Sequence, residues 1–322
     1  KSLLELDYPF YETIIIDGGS TDKTTDVVSK YPIKMITDRR RGAYAARNSG
    51  IQAAQGDLIF FTDSDCVIQR DVLRKLVRHL TDEKIGGVGG QILSYNPATI
   101  IERFSHYAHI VTFNHPKGIV IWNKNKLLSG GIYTANALYR KSVLEEVNGF
   151  DIDFVVGGDY DLCWRLQRAG YKLAFDPGAV VFHKHRTTLR DLIKQFFNYG
   201  IEHPLLLKKQ PGGFSHIEVK CYFLPPKEFR CKLPVRIMAC IDFCNLSILG
   251  LLLSLLYPIL FYPSLLVFLA VLVGAMRKGL EIKKESGEMR WLLFYPLLHF
   301  IRNGAWTIGK ICGGIKHRLI AF

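Results

Sequence analysis

The stretch GDLIFFTDSDC, residues 56–66, decides how the chain reads. Leu58 to Thr62 is an apolar run of strand length, too short for a helix and preceded by a turn residue. It ends in Asp63-Ser64-Asp65. The strand period of two places both carboxylates on one face, just past the apolar segment. Two acidic groups held together there repel unless a cation lies between them, and a divalent metal with oxygen ligands answers that need. The end of a strand in an α/β sheet is also where ligand crevices form. The plain alternative is an acidic turn leading into the next helix at Asp71-Val72-Leu73.

Upstream, Thr13 to Ile16 is a β-branched strand running into Asp17-Gly18-Gly19-Ser20-Thr21-Asp22. The glycines allow a sharp turn, and Ser20, Thr21 or Asp22 can cap a following helix. Asp17 at that strand end either accepts hydrogen bonds from a base or ribose edge or belongs to a capped turn. A short strand over 33–36 leads to Arg39-Arg40-Arg41-Gly42 and a helix from Tyr44 to Ala54, with Ala46, Ile51 and Ala54 on its buried face. The arginines beside a helix start suit a diphosphate, or form a solvated basic face.

Downstream, a helix over 70–80 and a strand over 86–93 precede the less regular residues 95–128, an acceptor-side insertion or an irregular crossover. The segment from Gly130-Gly131 to Tyr139 then leads into a helix at Ser142–Val147. Gly157-Gly158-Asp159-Tyr160-Asp161 then opens a helix in which Leu162, Leu166 and Ala169 form the buried stripe. Asp161 and Arg165 are spaced to pair on its surface. Asp159 sits at the helix start, where the dipole favours a carboxylate. Strands at Leu173–Phe175 and Val180–His183 end in an imidazole that serves as an ordinary polar residue or as a third metal ligand.

The formal net charge of +13 favours anionic partners. No basic stretch carries a helix-turn-helix, zinc-finger or RNA-recognition pattern, so nucleic acid is not the expected partner. The seven Cys lack Cys-x-x-Cys spacing, which points to reduced thiols rather than disulfides or zinc.

From Pro234 the composition changes, and residues 243–276 contain no charged side chain. Ile237 to Met276 is long enough for two spans of about 20 residues. Arg230, Lys232 and Arg236 precede it and Arg277, Lys278, Lys283 and Lys284 follow, predicting a hairpin with both ends cytosolic. Residues 290–312 carry Arg302 and Asn303 centrally and read as an interfacial helix, or as a third span. The expected division is therefore 1–233, 234–278 and 279–322, in a multi-pass protein of the cell membrane.

The segments IIIDGGSTDKT, GAYAARNSGIQAAQGDLIFFTDSDC, NALYRKSVLEEVNGFD and GGDYDLCWRLQRAGYKLAFDPGAVVFHKH, in this order over residues 12–185, resemble the family 2 glycosyltransferases. The membrane tail resembles subgroups with a C-terminal hairpin, the mycofactocin-system subgroup among them. The resemblance implies a GT-A (Rossmann-like) α/β domain, followed here by a transmembrane hairpin and an interfacial helix. It implies inverting transfer from a UDP- or GDP-sugar to a lipid-linked or membrane-proximal acceptor, in polysaccharide or glycolipid biosynthesis, with Mn²⁺ or Mg²⁺ as cofactor. On that resemblance Asp17 contacts the base, Asp63 the ribose or sugar, and Arg47 the nucleotide sugar. Asp65 binds the metal, His183 is an additional metal or phosphate contact, and Asp159 is the base that deprotonates the acceptor. The family's usual Glu-Asp pair is Gly158-Asp159 here, and its first strand lies before Lys1, so the chain reads as N-terminally truncated. Two other readings are a non-catalytic, membrane-anchored nucleotide-sugar binder and a nucleotidyltransferase.

Overall fold

The computed structural model describes the backbone of residues 1–40, 42–110, 118–122, 131–209, 214–221, 224–232 and 237–321. Side chains are described in the same ranges, without 214–221, 224–232, 237–245, 252, 320 and 321. Arg41 and most of the 95–128 insertion beyond Ile110 lie outside the described residues. By compactness the chain divides into Lys1–His185 and Arg186–Phe322.

The first unit is mixed α/β. After a 3-10 turn at Ser2–Glu5 come β1 (Ile14–Asp17), α1 (Thr24–Val28), β2 (Lys34–Thr37), α2 (Ala43–Ala53), β3 (Leu58–Phe61) and β4 (Cys66–Ile68). Then follow α3 (Val72–Val77), β5 (Ile85–Ser94), α4 (Ile100–Tyr107), β6 (Val120–Trp122), β7 (Ala137–Arg140), α5 (Lys141–Glu146), α6 (Gly158–Arg168) and β8 (Lys172–His183). β1 and β2 pair in parallel as a sheet of two. The larger sheet runs β3-β7-β5-β8-β4, with β6 also on β8.

One face of the larger sheet is covered by α3, whose Val72, Leu73 and Leu76 pack with Ile85, Val88, Leu138 and Val181. α6 buries Leu162 and Leu166, one helical turn apart. Aromatic rings fill the space near β3: Phe61 lies edge-on to Tyr139 at 6.0 Å and to Phe150 at 5.3 Å. Burial of side chains this large contributes about 1.5–3 kcal/mol each before entropy is counted.

Two local expectations change. The strands read at Leu173–Phe175 and Val180–His183 are one strand, β8, with a register shift opposite Gly90/Gln91. Asp176 holds this irregularity, accepting from Gly178 N at 2.9 Å and from Arg78 at 2.7 Å. The pair Asp161–Arg165, expected on the helix surface, has a buried carboxylate. Arg165 bonds it at 2.8 Å and reaches on to the Val147 and Gly149 carbonyls at 2.6 and 2.8 Å. The pair therefore joins α6 to the loop after α5.

The second unit contains α7 (Leu189–Lys209), β9 (Phe214–Cys221), β10 (Leu224–Lys232), β11 (Ile237–Asp242), α8 (Phe243–Leu253), α9 (Phe261–Ser286), α10 (Trp291–His317) and β12 (Ile320–Ala321). Its sheet runs β10-β9-β11-β12. The structure does not show the hairpin of two full spans expected over Ile237–Met276. Ile237–Asp242 is taken up by β11, which pairs in parallel with β9 and β12. The 11 residues of α8 that remain extend only about 16 Å, short of the roughly 30 Å of a bilayer core. Among the described residues one helix, Pro258–Ser286, is long and apolar enough to cross a membrane. The helix expected over 290–312 is α10, and it buries His299, Asn303 and Lys310 as well as Trp291.

Candidate active site

The first carboxylate, Asp17, ends β1 and is buried. Its Oδ2 accepts from the Gly19 and Ser20 amides at 3.0 and 3.1 Å, and its Oδ1 accepts from Ser20 Oγ at 2.5 Å. These bonds, the Ser20 hydroxyl foremost, hold its pKa below the usual value.

β3 ends at Phe61, and Asp63 and Asp65 lie in the turn beyond it, so the single face expected from strand alternation is not kept. The two carboxylates part. Asp63 Oδ1 accepts from Arg47 of α2 at 2.7 Å. Burial raises the Asp63 pKa against the pull of Arg47, and the charges of Asp65 and Asp159 add to the rise. Burial works against the charge on Arg47 as well, but Asp63 and Asp159 outweigh it and keep the guanidinium charged.

Arg47 also lies 5.2 Å over the Tyr44 ring, one turn earlier on α2. Tyr44 Oη donates to Asp159 Oδ1 at 2.5 Å. The other oxygen of Asp159 accepts from the Thr134 amide and hydroxyl, both at 3.2 Å. Asp63, Arg47, Tyr44 and Asp159 thus form one chain of contacts from the end of β3 to the start of α6. Asn48 fixes α2 for this purpose, since its amide donates to the Phe150 carbonyl and accepts from the Phe150 N–H, both at 2.8 Å. Phe150 in turn stacks on Tyr44 at 5.4 Å.

Asp65 goes the other way. β4 runs antiparallel to β8 and sets Cys66 opposite His183. His183 Nε2 lies 3.4 Å from Asp65 Oδ1. Ligand atoms of Asp65, Cys66 and His183 all fall within 4.8 Å of one another. Burial, then the charges of Asp63 and Asp65, push the Cys66 thiol up to about 12, so the charged donor here is the carboxylate. Among the described residues the buried Nδ1 of His183 has no hydrogen-bond partner. A carboxylate with an imidazole fits a divalent cation of the Mn²⁺ or Mg²⁺ kind.

Beside this pair, Ser94 Oγ joins His185 Nε2 at 2.7 Å and His106 Nδ1 at 2.9 Å. Burial, with His183 and His106 nearby, depresses the His185 pKa to about 4, so the ring is neutral at pH 7. Of the residues singled out in the sequence, the structure joins Arg47, Asp63 and Asp159 in one network and Asp65 and His183 in another. Asp17 bonds within its own turn. Sequence reasoning missed Tyr44, Thr134 and Cys66. Cys66 adjoins the Asp-x-Asp turn, whereas nothing local marks Tyr44 or Thr134.

Residues 1–147 match the sequence profile of Glycosyl transferase family 2. They are a glycosyl transferase family 2 domain. The chain is similar to the pre-mycofactocin glycosyltransferase of Mycobacterium tuberculosis, 34% identical over 195 residues, covering 58% of this chain and 40% of that protein. It is 28% identical over 229 residues to the O-antigen chain rhamnosyltransferase WbaN of Salmonella anatum, covering 66% of this chain and 71% of that protein. The poly-beta-1,6-N-acetyl-D-glucosamine synthase of Staphylococcus epidermidis is 25% identical over 340 aligned positions, covering 99% of this chain and 80% of that protein. The chain thus spans less than half the length of its mycobacterial relative.

Proposed function

We propose that the chain transfers a sugar from a nucleoside-diphosphate sugar to an acceptor hydroxyl with inversion at the anomeric carbon. The observation that carries this reading is the contact chain joining Asp63, through Arg47 and Tyr44, to Asp159, with the Asp65–His183 pair beyond the same strand end. Such an arrangement holds a donor-side carboxylate and a second, separately gripped carboxylate in one fold unit.

In this mechanism Asp17 receives the base, and Arg47 and Asp63 orient the ribose and sugar. Asp65 and His183 would hold Mn²⁺ or Mg²⁺, which when bound offsets charge on the leaving diphosphate. The acceptor hydroxyl approaches the anomeric carbon from the Asp159 side. As its oxygen bonds to that carbon, the bond from carbon to phosphate oxygen breaks. The hydroxyl proton passes to Asp159 and the nucleoside diphosphate departs with the bonding electrons. General-base assistance of this kind is worth roughly 10²–10⁴-fold.

The apolar C-terminal unit supports a membrane-associated enzyme with a cytosolic site, and a lipid-linked or membrane-proximal acceptor for polysaccharide or glycolipid synthesis. The test is release of UDP or GDP from UDP-glucose, UDP-N-acetylglucosamine and GDP-mannose by the full chain in membranes, with and without chelator. Metal-dependent release that falls about 10²–10⁴-fold in Asp159→Asn is expected. Nucleotide-sugar binding with no turnover of any donor would leave a non-catalytic binder instead.

A further inference from the structure

The start of α6 poses a packing question. Gly157 caps the helix with φ 85°, a left-handed conformation that suits glycine. Gly158 has no such backbone requirement, and its reason for being glycine lies across the site. A Cβ built there would meet Cζ, Cε2 and Cε1 of Tyr44 at 2.7, 2.8 and 3.0 Å. The Tyr44 ring cannot easily yield. It is buried, stacked on Phe150 and covered by the Arg47 guanidinium.

The hydroxyl of the same ring bonds both residues of the helix start. It accepts from the Gly158 N–H at 2.9 Å and donates to Asp159 Oδ1 at 2.5 Å. Thr134 grips the opposite carboxylate oxygen. Rotation of the Asp159 carboxylate about its own axis would break one grip or the other.

We infer that Tyr44 is a positioning residue that sets the orientation of the Asp159 carboxylate, and that Gly158 is glycine because Tyr44 occupies the space a side chain would need. The inference rests on the reading of Asp159 as the base. It assigns the support of the Asp159 carboxylate to a ring on α2. Burial and the charge of Asp159 push the Tyr44 phenol far above its ordinary value, so the hydroxyl remains a donor in this bond. Because Tyr44 and Arg47 share one helix turn, the orientation of Asp159 is tied to the same element that bonds Asp63.

The experiment uses the full chain and follows UDP or GDP release from UDP-glucose, UDP-N-acetylglucosamine and GDP-mannose. Tyr44→Phe keeps the ring and removes the bond. It should lower kcat about 10–100-fold and leave donor KM within about twofold, since misplacing a reacting group acts on turnover. In the Asp159→Asn background the same change should cost nothing further. Full turnover by Tyr44→Phe beside a defective Asp159→Asn overturns the inference. Full turnover by Asp159→Asn alone removes Asp159 as the base, and so fails the underlying reading by a separate result.

A thermal series needs no substrate. Gly158→Ala should lower the Tm of the wild type by several degrees and that of Tyr44→Ala by much less. Tyr44→Phe and Asp159→Asn should be non-additive in Tm, as bonded partners are. Equal losses from Gly158→Ala in both backgrounds, or additive losses from the second pair, would overturn it.

Discussion

Cys66 on β4 stands opposite His183 on β8, and this register brings the preceding carboxylate, Asp65, to 3.4 Å from the His183 imidazole. The proposed metal locus therefore depends on a three-residue strand as much as on the acidic turn. It also separates the two acids: Asp63 turns to Arg47 and Asp65 to His183.

The division of labour can be measured by calorimetry of UDP and GDP with Mn²⁺ present. Asp65→Ala and His183→Ala should each weaken binding by at least about tenfold, and chelation should weaken the wild type similarly. Asp63→Ala should weaken binding in Mn²⁺ and in chelator alike. Equal affinity of wild type and His183→Ala in Mn²⁺ would take the imidazole out of the metal site.

Asp161 gives a stability prediction unlinked to donor binding. Its buried carboxylate bonds Arg165, which also holds two carbonyls of the loop after α5. Asp161→Asn weakens a charged hydrogen bond, a loss of roughly 1–3 kcal/mol. That exceeds the few tenths expected of an exposed helix pair. Denaturant unfolding should show a lower midpoint with an unchanged slope, and UDP affinity should stay at the wild-type value.

Much of the first unit was legible in the sequence because its signals are local. The apolar run from Leu58 forms a strand, β3, as its length predicts, and Asp63 and Asp65 follow in the turn beyond it. The helix carrying Arg47 spans Ala43–Ala53, close to its expected limits. What escaped is set by distant pairing. β4 is three residues long and exists through its ladder with β8, more than a hundred residues away. β8 itself looked like two strands because Asp176-Pro177-Gly178 interrupts its pattern, while Arg78 and His79 pin Asp176 from another element. Tyr44 showed no sign of its role, since its partners Phe150, Gly158 and Asp159 lie over a hundred residues further on. In the second unit, composition identified the apolar segment but could not reveal that Ile237–Asp242 joins a sheet.

A pH effect follows from Asp38. Arg40 bonds its carboxylate through Nε at 3.0 Å and through the backbone amide at 2.9 Å, and Ser49 bonds it as well. These bonds, that of the Arg40 side chain first, hold its pKa far below the ordinary carboxylate value. A depressed folded-state pKa means that the unfolded chain takes up the proton first as pH falls. The contribution is thus complete above the unfolded value near 4 and is lost progressively below it. Asp38→Asn should lower Tm at pH 7 and shrink the loss of Tm between about pH 4 and pH 2. An unchanged acid slope would assign that loss to other carboxylates.

The topology of the apolar segment is the remaining test. Leu246, Leu249, Leu253, Leu255, Leu256, Tyr257, Ile259 and Tyr262 are all exposed, a run of apolar surface that water does not favour. The bend between α8 and α9 satisfies its own backbone, with Ser254 N bonded to Gly250 O and Tyr257 N to Leu253 O. That self-sufficiency suits a chain reversal at membrane depth. A single crossing by α9 would place its basic end, with Arg277, Lys278, Lys283 and Lys284, on the side opposite α8. A dip in which α8 enters and α9 returns keeps Arg230, Lys232 and Arg236 on the same side as those residues, as the bias toward cytosolic basic flanks requires. Tags inserted at Lys227 and after Phe322 should therefore both resist external protease in intact cells, and both become cleavable when the membrane is opened. Protease access to the Lys227 tag alone in intact cells would mean that α9 crosses once, and the cytosolic placement of the site would fall with it.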